Sequence, residues 1–156
     1  MVSVAIEKVI EKLCPVMKST LEEAASLAVS SGHFHVENEH WLATLLKQPH
    51  TDLASILRLA KVDLDILNSE LKKALESFKG GNSRPPVFAP NLMSAASDAW
   101  TVASMEFNHK QITSAHFLIG MMNNDAIYFQ LTRELPELQK IALSSLPTFA
   151  AQVIGT

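Results

Sequence analysis

The sequence predicts an all-α protein on three observations. Apolar residues recur at helical spacing wherever a pattern exists, proline and glycine fall where helices start and stop, and one arrangement of residues occurs twice. The first stretch shows the spacing: Ile6, Val9, Ile10 and Leu13 lie at i, i+3, i+4 and i+7, with Glu7, Lys8, Glu11 and Lys12 on the opposite face.

Pro15 suits the first turn of a second helix, where a missing N–H costs nothing. Along it Met17, Leu21, Ala24, Ala25 and Ala28 make a narrow stripe, small enough in the middle for another helix to approach closely. Gly32 stands where such a helix commonly stops. Residues 37–47 predict a short helix with Trp41, Leu42, Leu45 and Leu46 inward, ending before Pro49. Thr51 and Asp52 are good capping residues for a helix carrying Leu53, Ile56 and Leu57, and Asp63 can cap one carrying Ile66, Leu67, Leu71 and Leu75. GGNSRPPVFAP at 80–90 cannot be helical. Beyond it come Leu92, Ala96, Ala99, Trp100 and Ala103, then a short helix from Thr113, then Ile127, Tyr128 and Leu131. Pro136 opens a last helix with Leu138, Ile141 and Leu143, and the tail from Pro147 is weakly patterned.

Two halves repeat one plan. Ala24 and Ala28 match Ala99 and Ala103. After one inserted residue, Val36 matches Ile112, His40 matches His116, Trp41 matches Phe117, and Leu45-Leu46 match Met121-Met122. Two such units can bury their apolar faces against each other. The predicted layout is an additional N-terminal helix at 1–14, a first repeat at 15–79, a linker at 80–90, a second repeat at 91–146 and a tail at 147–156.

Function is narrowed first by exclusion. The 13 basic and 16 acidic side chains give a net charge of −3 with no basic cluster, which argues against nucleic acid. No apolar run approaches the roughly 20 residues that span a bilayer, and the N-terminus lacks a secretory pattern. Cys14 is the only cysteine, so a reducing, cytoplasmic setting is expected. His40 and His116 are expected to be buried and bonded to nearby backbone. His33, His35 and His40 fall short of a zinc motif, so no metal is expected. No phosphate loop, nucleophile elbow or C-x-x-C occurs, and no catalytic residue is assigned. Cys14 precedes a helix, a position that lowers a thiol pKa, but it has no evident base partner. What remains is a surface for protein. The first helix lies outside the repeat, and Val87 and Phe88 are apolar in a linker that otherwise breaks structure. Such features suit a groove that accepts an amphipathic peptide helix.

The doubled pattern A-x3-A … [VI]-x3-H-[WFL]-L-x2-[LM]-[LM] resembles the double repeat of the Clp N-terminal domain of Hsp100 AAA+ unfoldases, over about residues 15–146. Glu39-His40-Trp41-Leu42-Ala43-Thr44-Leu45-Leu46 is similar to the family's E-H-L-L-L-A-L-L, whereas Ala115 departs from its acidic residue. Within the family the chain looks most like the ClpV branch of type VI secretion. The helix before Pro15, the linker Lys79–Pro86 and Trp100-x2-Ala103-Ser104-x-Glu106-Phe107 carry that likeness.

The resemblance implies a fold of two pseudo-symmetric four-helix repeats plus the added helix. It also implies a recruitment module whose partner is a helical peptide of the large sheath subunit (VipB/TssC). The isolated domain would be a monomer, and the full-length protein a hexamer whose ATP and Mg belong to ATPase modules outside this chain. The groove is expected between the added helix and the first repeat, with Ile6, Ile10 and Leu13 as one wall, Leu21, Ala24 and Ala25 as the floor, and Phe88 at the edge. A charged residue at Leu13 or Ala24 is expected to abolish binding while the domain stays folded. The alternatives are an adaptor- or substrate-binding N-domain of a ClpA-, ClpB- or ClpC-type chaperone, and a small metal- or thiol-dependent enzyme.

Overall fold

The computed structural model describes residues 6–154. The first five residues of the expected N-terminal helix, and the last two of the tail, lie outside that range. The first half runs α1 (Ile6–Glu11), α2 (Pro15–Ser30), β1 (His35–Val36), α3 (Asn38–Leu46), α4 (Asp52–Leu59) and α5 (Leu64–Ser77). The second runs β2 (Val87–Phe88), α6 (Pro90–Thr101), α7 (Ser114–Met122), α8 (Asp125–Glu134) and α9 (Leu146–Val153). Caps follow the sequence signals: the Thr51 hydroxyl accepts from Ala54 N–H, and the Asp63 carboxylate accepts from the N–H groups of Asp65 and Ile66.

The repeat is visible in three dimensions. α2 packs on α3 as α6 packs on α7, and matched residues Trp41 and Phe117 meet in the shared core with both rings fully buried. The long helices stop at equivalent left-handed positions, Gly32 with φ +68° and Asn108 with φ +53°. The extra residue of the second half falls just before Asn108. There α6 continues as a π-helical turn over Val102–Glu106, whose wider loops absorb one additional residue.

Two short pairings close the fold. β1 runs parallel to β2, His35 opposite Val87 and Val36 opposite Phe88. The matching place in the other half is a bridge between Leu13 and Ile112. There Ile112 N–H donates to the Lys12 carbonyl at 2.7 Å, and Cys14 N–H donates to the Ile112 carbonyl at 3.0 Å. Each long helix is thus preceded by a segment that pairs with the segment following the other.

The structure departs from the sequence pattern in three places. The fourth helical segment of the second half is a 3-10 turn, Pro136–Lys140. The chain then extends at Ile141 and Ala142, turning Ile141 into the core and leaving Leu143 exposed. Residues 146–153, weakly patterned in sequence, form α9, which buries Leu146 and Ala150 against α4 and α7. Ile66, expected inward, is 47% exposed, because α5 turns Leu67, Leu71 and Ala74 to the core instead.

Candidate functional site

Three elements meet beside the first repeat. α1 lies over α6, anchored by the fully buried Val9 and Leu13. α2 passes next to it, and β2 is held alongside by its pairing with β1. Between them is an apolar cavity of about 240 Å³ lined by Ile10, Lys18, Leu21, Glu22, Ala25 and Phe88. Ile10 comes from α1, Phe88 from β2, and the remaining four from one face of α2. Phe88 and Ile10 are half-buried and pack against the core on their inner sides.

Four of the seven expected groove residues, Ile10, Leu21, Ala25 and Phe88, therefore surround one cavity. Ile6 is half-buried, packed on the core rather than lining it. Leu13 and Ala24 do not reach the groove: Leu13 is 1% exposed and Ala24 is 0% exposed. Leu13 is turned inward by its bridge to Ile112. A charge at either would enter the core, so the expectation that these changes leave the domain folded is corrected. Lys18 and Glu22 line the cavity and were missed by sequence reasoning. Helical periodicity would have supplied them, since Lys18 lies three residues before Leu21 and Glu22 three before Ala25 on the same face.

The expected buried histidines are found, arranged as matched pairs. His40 Nδ1 accepts from Glu37 N–H at 2.9 Å, and His116 Nδ1 accepts from Thr113 N–H at 2.9 Å. That leaves the proton on Nε2, which faces Nδ1 of His33 at 2.8 Å in the first half and of His109 at 3.3 Å in the second. Phe78 packs on the first pair and Phe107 on the second. Burial and the neighbouring histidine push both His40 and His116 down to about 4. Another cavity, about 300 Å³, borders the first pair and is lined by His33, Phe34, His35, Glu37, Phe78 and Lys79. Among the described residues, no three or more His, Cys, Asp or Glu side chains gather as a metal site.

Cys14 does not become the activated thiol that its place before a helix suggests. Its burial raises the pKa above the usual thiol value and outweighs the backbone N–H groups of Met17 and Val16, which act the other way. Among the described residues, no helix is long and apolar enough to cross a membrane.

Comparison with known proteins places this geometry in a lineage. The family description Clp repeat (R) N-terminal domain matches residues 12–135. The chain is 32% identical over 135 residues to chaperone protein ClpB of Yersinia enterocolitica, covering 86% of this chain and 15% of that protein. It is 24% identical over 144 residues to AAA+ ATPase ClpV1 of Pseudomonas aeruginosa, covering 92% of this chain and 16% of that protein. Among solved structures, the N-terminal domain of ClpV1 ATPase from E. coli EAEC is 26% identical with a TM-score of 0.81, covering 95% of this chain and 89% of that one. A ClpV N-domain in complex with a VipB peptide is 22% identical with a TM-score of 0.77, covering 100% and 98%. The chain therefore spans only a small part of the length of the curated relatives it matches.

Proposed function

Because this chain belongs to the Clp repeat N-terminal domain family, we propose that it is the recruitment domain of a ClpV-type AAA+ unfoldase. Its groove takes an N-terminal helix of the large type VI sheath subunit (VipB/TssC), so that contracted sheath is delivered for disassembly. The observation that carries the proposal is the apolar cavity enclosed by Ile10, Leu21, Ala25 and Phe88 between α1, α2 and β2. Two likenesses support it: to the P. aeruginosa ClpV1 sequence and to the fold of a ClpV N-domain bound to a VipB peptide.

The domain contributes binding rather than chemistry. ATP, Mg and the hexamer belong to the modules that the longer relatives carry, and the setting is the cytoplasm. The isolated domain is a monomer. A single short helix buries less than the ~1,600 Å² of a standard interface, so affinity is micromolar in order of magnitude. Six copies on one ring gain avidity toward a polymer that displays many helices, which lets a weak module select sheath over stray subunits.

The test is a titration of the domain with a peptide of that sheath helix, followed by fluorescence anisotropy. Saturable one-to-one binding is expected, lost in Ala25→Lys and Ile10→Asp variants whose circular dichroism is unchanged. Removal of residues 1–14 is a poor test, because it takes away the buried Val9 and Leu13. A second reading is favoured by the 32% identity to ClpB: an N-domain that takes adaptors or unfolded segments. Failure of the sheath peptide together with binding of an unfolded model protein would decide for that reading.

A further inference from the structure

The groove residues of α2 belong to a longer stripe. Lys18, Leu21, Glu22 and Ala25 fall at i, i+3, i+4 and i+7, and the next position on that face, i+11, is Val29. Val29 is 58% exposed, the most exposed large apolar side chain of α2: Val16 at the other end is 44% exposed, Leu27 is half-buried, and Met17 and Leu21 are buried. Leu21 and Val29 are eight residues apart on one continuous helix, about 12 Å or just over two turns. Ala25 stands midway, and its small side chain allows the backbone of a crossing helix to come close, with the larger residues packing on either side. At the opposite end the lining is charged: Lys18 and Glu22 stand one turn apart, both exposed, and among the described residues the one ion pair within 4 Å joins Lys140 and Glu137 instead.

We propose that the binding surface continues past the cavity to Val29, so that the recognised segment is an amphipathic helix of about three turns with two apolar anchors. The first anchor fills the cavity between Ile10, Leu21 and Phe88. The second, seven or eight residues away along the peptide, rests on Val29. Charge fixes the register: an acidic side chain of the peptide lies beside Lys18 and a basic one beside Glu22, both flanking the first anchor. A helix with a single anchor, or an extended segment, meets only half of this surface. The proposal rests on the recruitment function above and adds the pattern that the domain reads.

The experiment uses the domain and a synthetic peptide of about 18 residues covering the sheath subunit's N-terminal helix, long enough for five turns. Val29→Lys is exposed and places a cation in the last turn of α2, where the helix dipole tolerates it, so the fold is kept. It is expected to weaken binding tenfold or more, and Val29→Ala a few-fold. Replacing the second apolar anchor of the peptide by alanine should produce a similar loss, and the two changes together should cost little more than either alone. Lys18→Glu should weaken the native peptide and be compensated by a peptide whose facing acid is changed to lysine. Unchanged affinity in Val29→Lys, with binding lost in Ala25→Lys, would overturn the two-anchor surface and leave recruitment standing. No binding of the native peptide by the native domain would overturn recruitment and this inference together.

Discussion

Trp41 and Phe117, which occupy the same place in the two repeats, stack on each other with ring centroids 4.4 Å apart and planes inclined by 38°. The pair joins the short helix of one repeat to that of the other, so the pseudo-symmetry passes through an aromatic contact. The indole N–H of Trp41 donates to the Thr20 hydroxyl at 3.1 Å, and that hydroxyl donates to the Val16 carbonyl at 2.7 Å, so the buried ring leaves no polar atom unpaired.

Phe117→Ala and Trp41→Ala should therefore each destabilise the domain by about 3–5 kcal/mol. Trp41→Phe also removes the Thr20 bond and should cost less than Trp41→Ala. In a double-mutant cycle read by urea unfolding, the two truncations should couple by about 0.5–1.5 kcal/mol. Strict additivity would mean that the rings share a core without a mutual interaction.

The two repeats differ where their helices cross, and Gly120 marks the difference. A Cβ there would stand 2.9 Å from Ala99 N and 3.0 Å from the Ala95 carbonyl oxygen, both backbone atoms of α6. The equivalent position in the first half is Thr44, whose hydroxyl donates to the Thr20 carbonyl at 2.9 Å. Gly120→Ala is expected to destabilise by about 1–3 kcal/mol, despite alanine's better helix propensity, because α6 must be pushed away. Thr44→Ala should cost about 1 kcal/mol through its lost hydrogen bonds. A stabilised Gly120→Ala in thermal unfolding would show that α7 can shift without loss.

Acid should weaken the domain through its histidine pairs. The folded values of His40 and His116, about 4, lie below the ordinary 6.5. Between those values the unfolded chain binds more protons than the folded one, so stability rises with pH across the window and is lost as pH falls through it. Each histidine contributes at most about 1.4 kcal/mol per pH unit. The geometry gives the reason: Nδ1 of each ring already accepts a backbone N–H, and a further proton must break that bond or the contact with the second histidine. Nitrogen NMR at pH 6.5 should find both rings neutral and protonated on Nε2; an imidazolium signal from either would contradict this.

How much of this was legible in the sequence depended on the length of each pattern. The helices with a clear apolar stripe announced themselves by period, and the matched histidines, alanine pairs and apolar residues exposed the duplication. The parallel pairs His35–Val87 and Leu13–Ile112 did not, because two-residue strands have no period to read. The groove was half legible. Residues 21, 24, 25 and 28 make one apolar stripe, but which edge faces the other repeat and which faces solvent depends on the position of α1. That position is set by the Leu13 bridge, so Leu13 and Ala24 went inward while Ala25 stayed at the surface. α9 was missed because only Leu146 and Ala150, one turn apart, are buried there, too few to stand out beside Pro147.

Alkali should weaken the domain through a carboxyl group. Glu39 is 1% exposed, and it accepts a long hydrogen bond, 3.5 Å, from the Gln130 side-chain amide. Burial, together with the adjacent Glu134 carboxylate, pushes its pKa up to about 9. Glu134 Oε2 is itself buried without a hydrogen-bond partner. A proton held on Glu39 and donated to Glu134 satisfies both, linking α3 of the first repeat to α8 of the second. The sign follows: the unfolded carboxyl releases its proton near 4.5 and the folded one near 9. Stability from this group is therefore complete below about 4.5 and falls as pH rises toward 9. Burial raises Glu37 and Asp52 too, with the same sign. The histidines and these carboxyls act with opposite signs, so the domain should lose stability toward both acid and alkaline pH. Glu39→Gln keeps an N–H donor toward Glu134 and has no proton to lose, so it should flatten the alkaline limb and exceed the native domain at pH 8 by about 1–3 kcal/mol. Glu39→Gln unfolding with the same pH slope as the native chain would show that Glu39 is ionised in the fold and that some other group sets the alkaline limit.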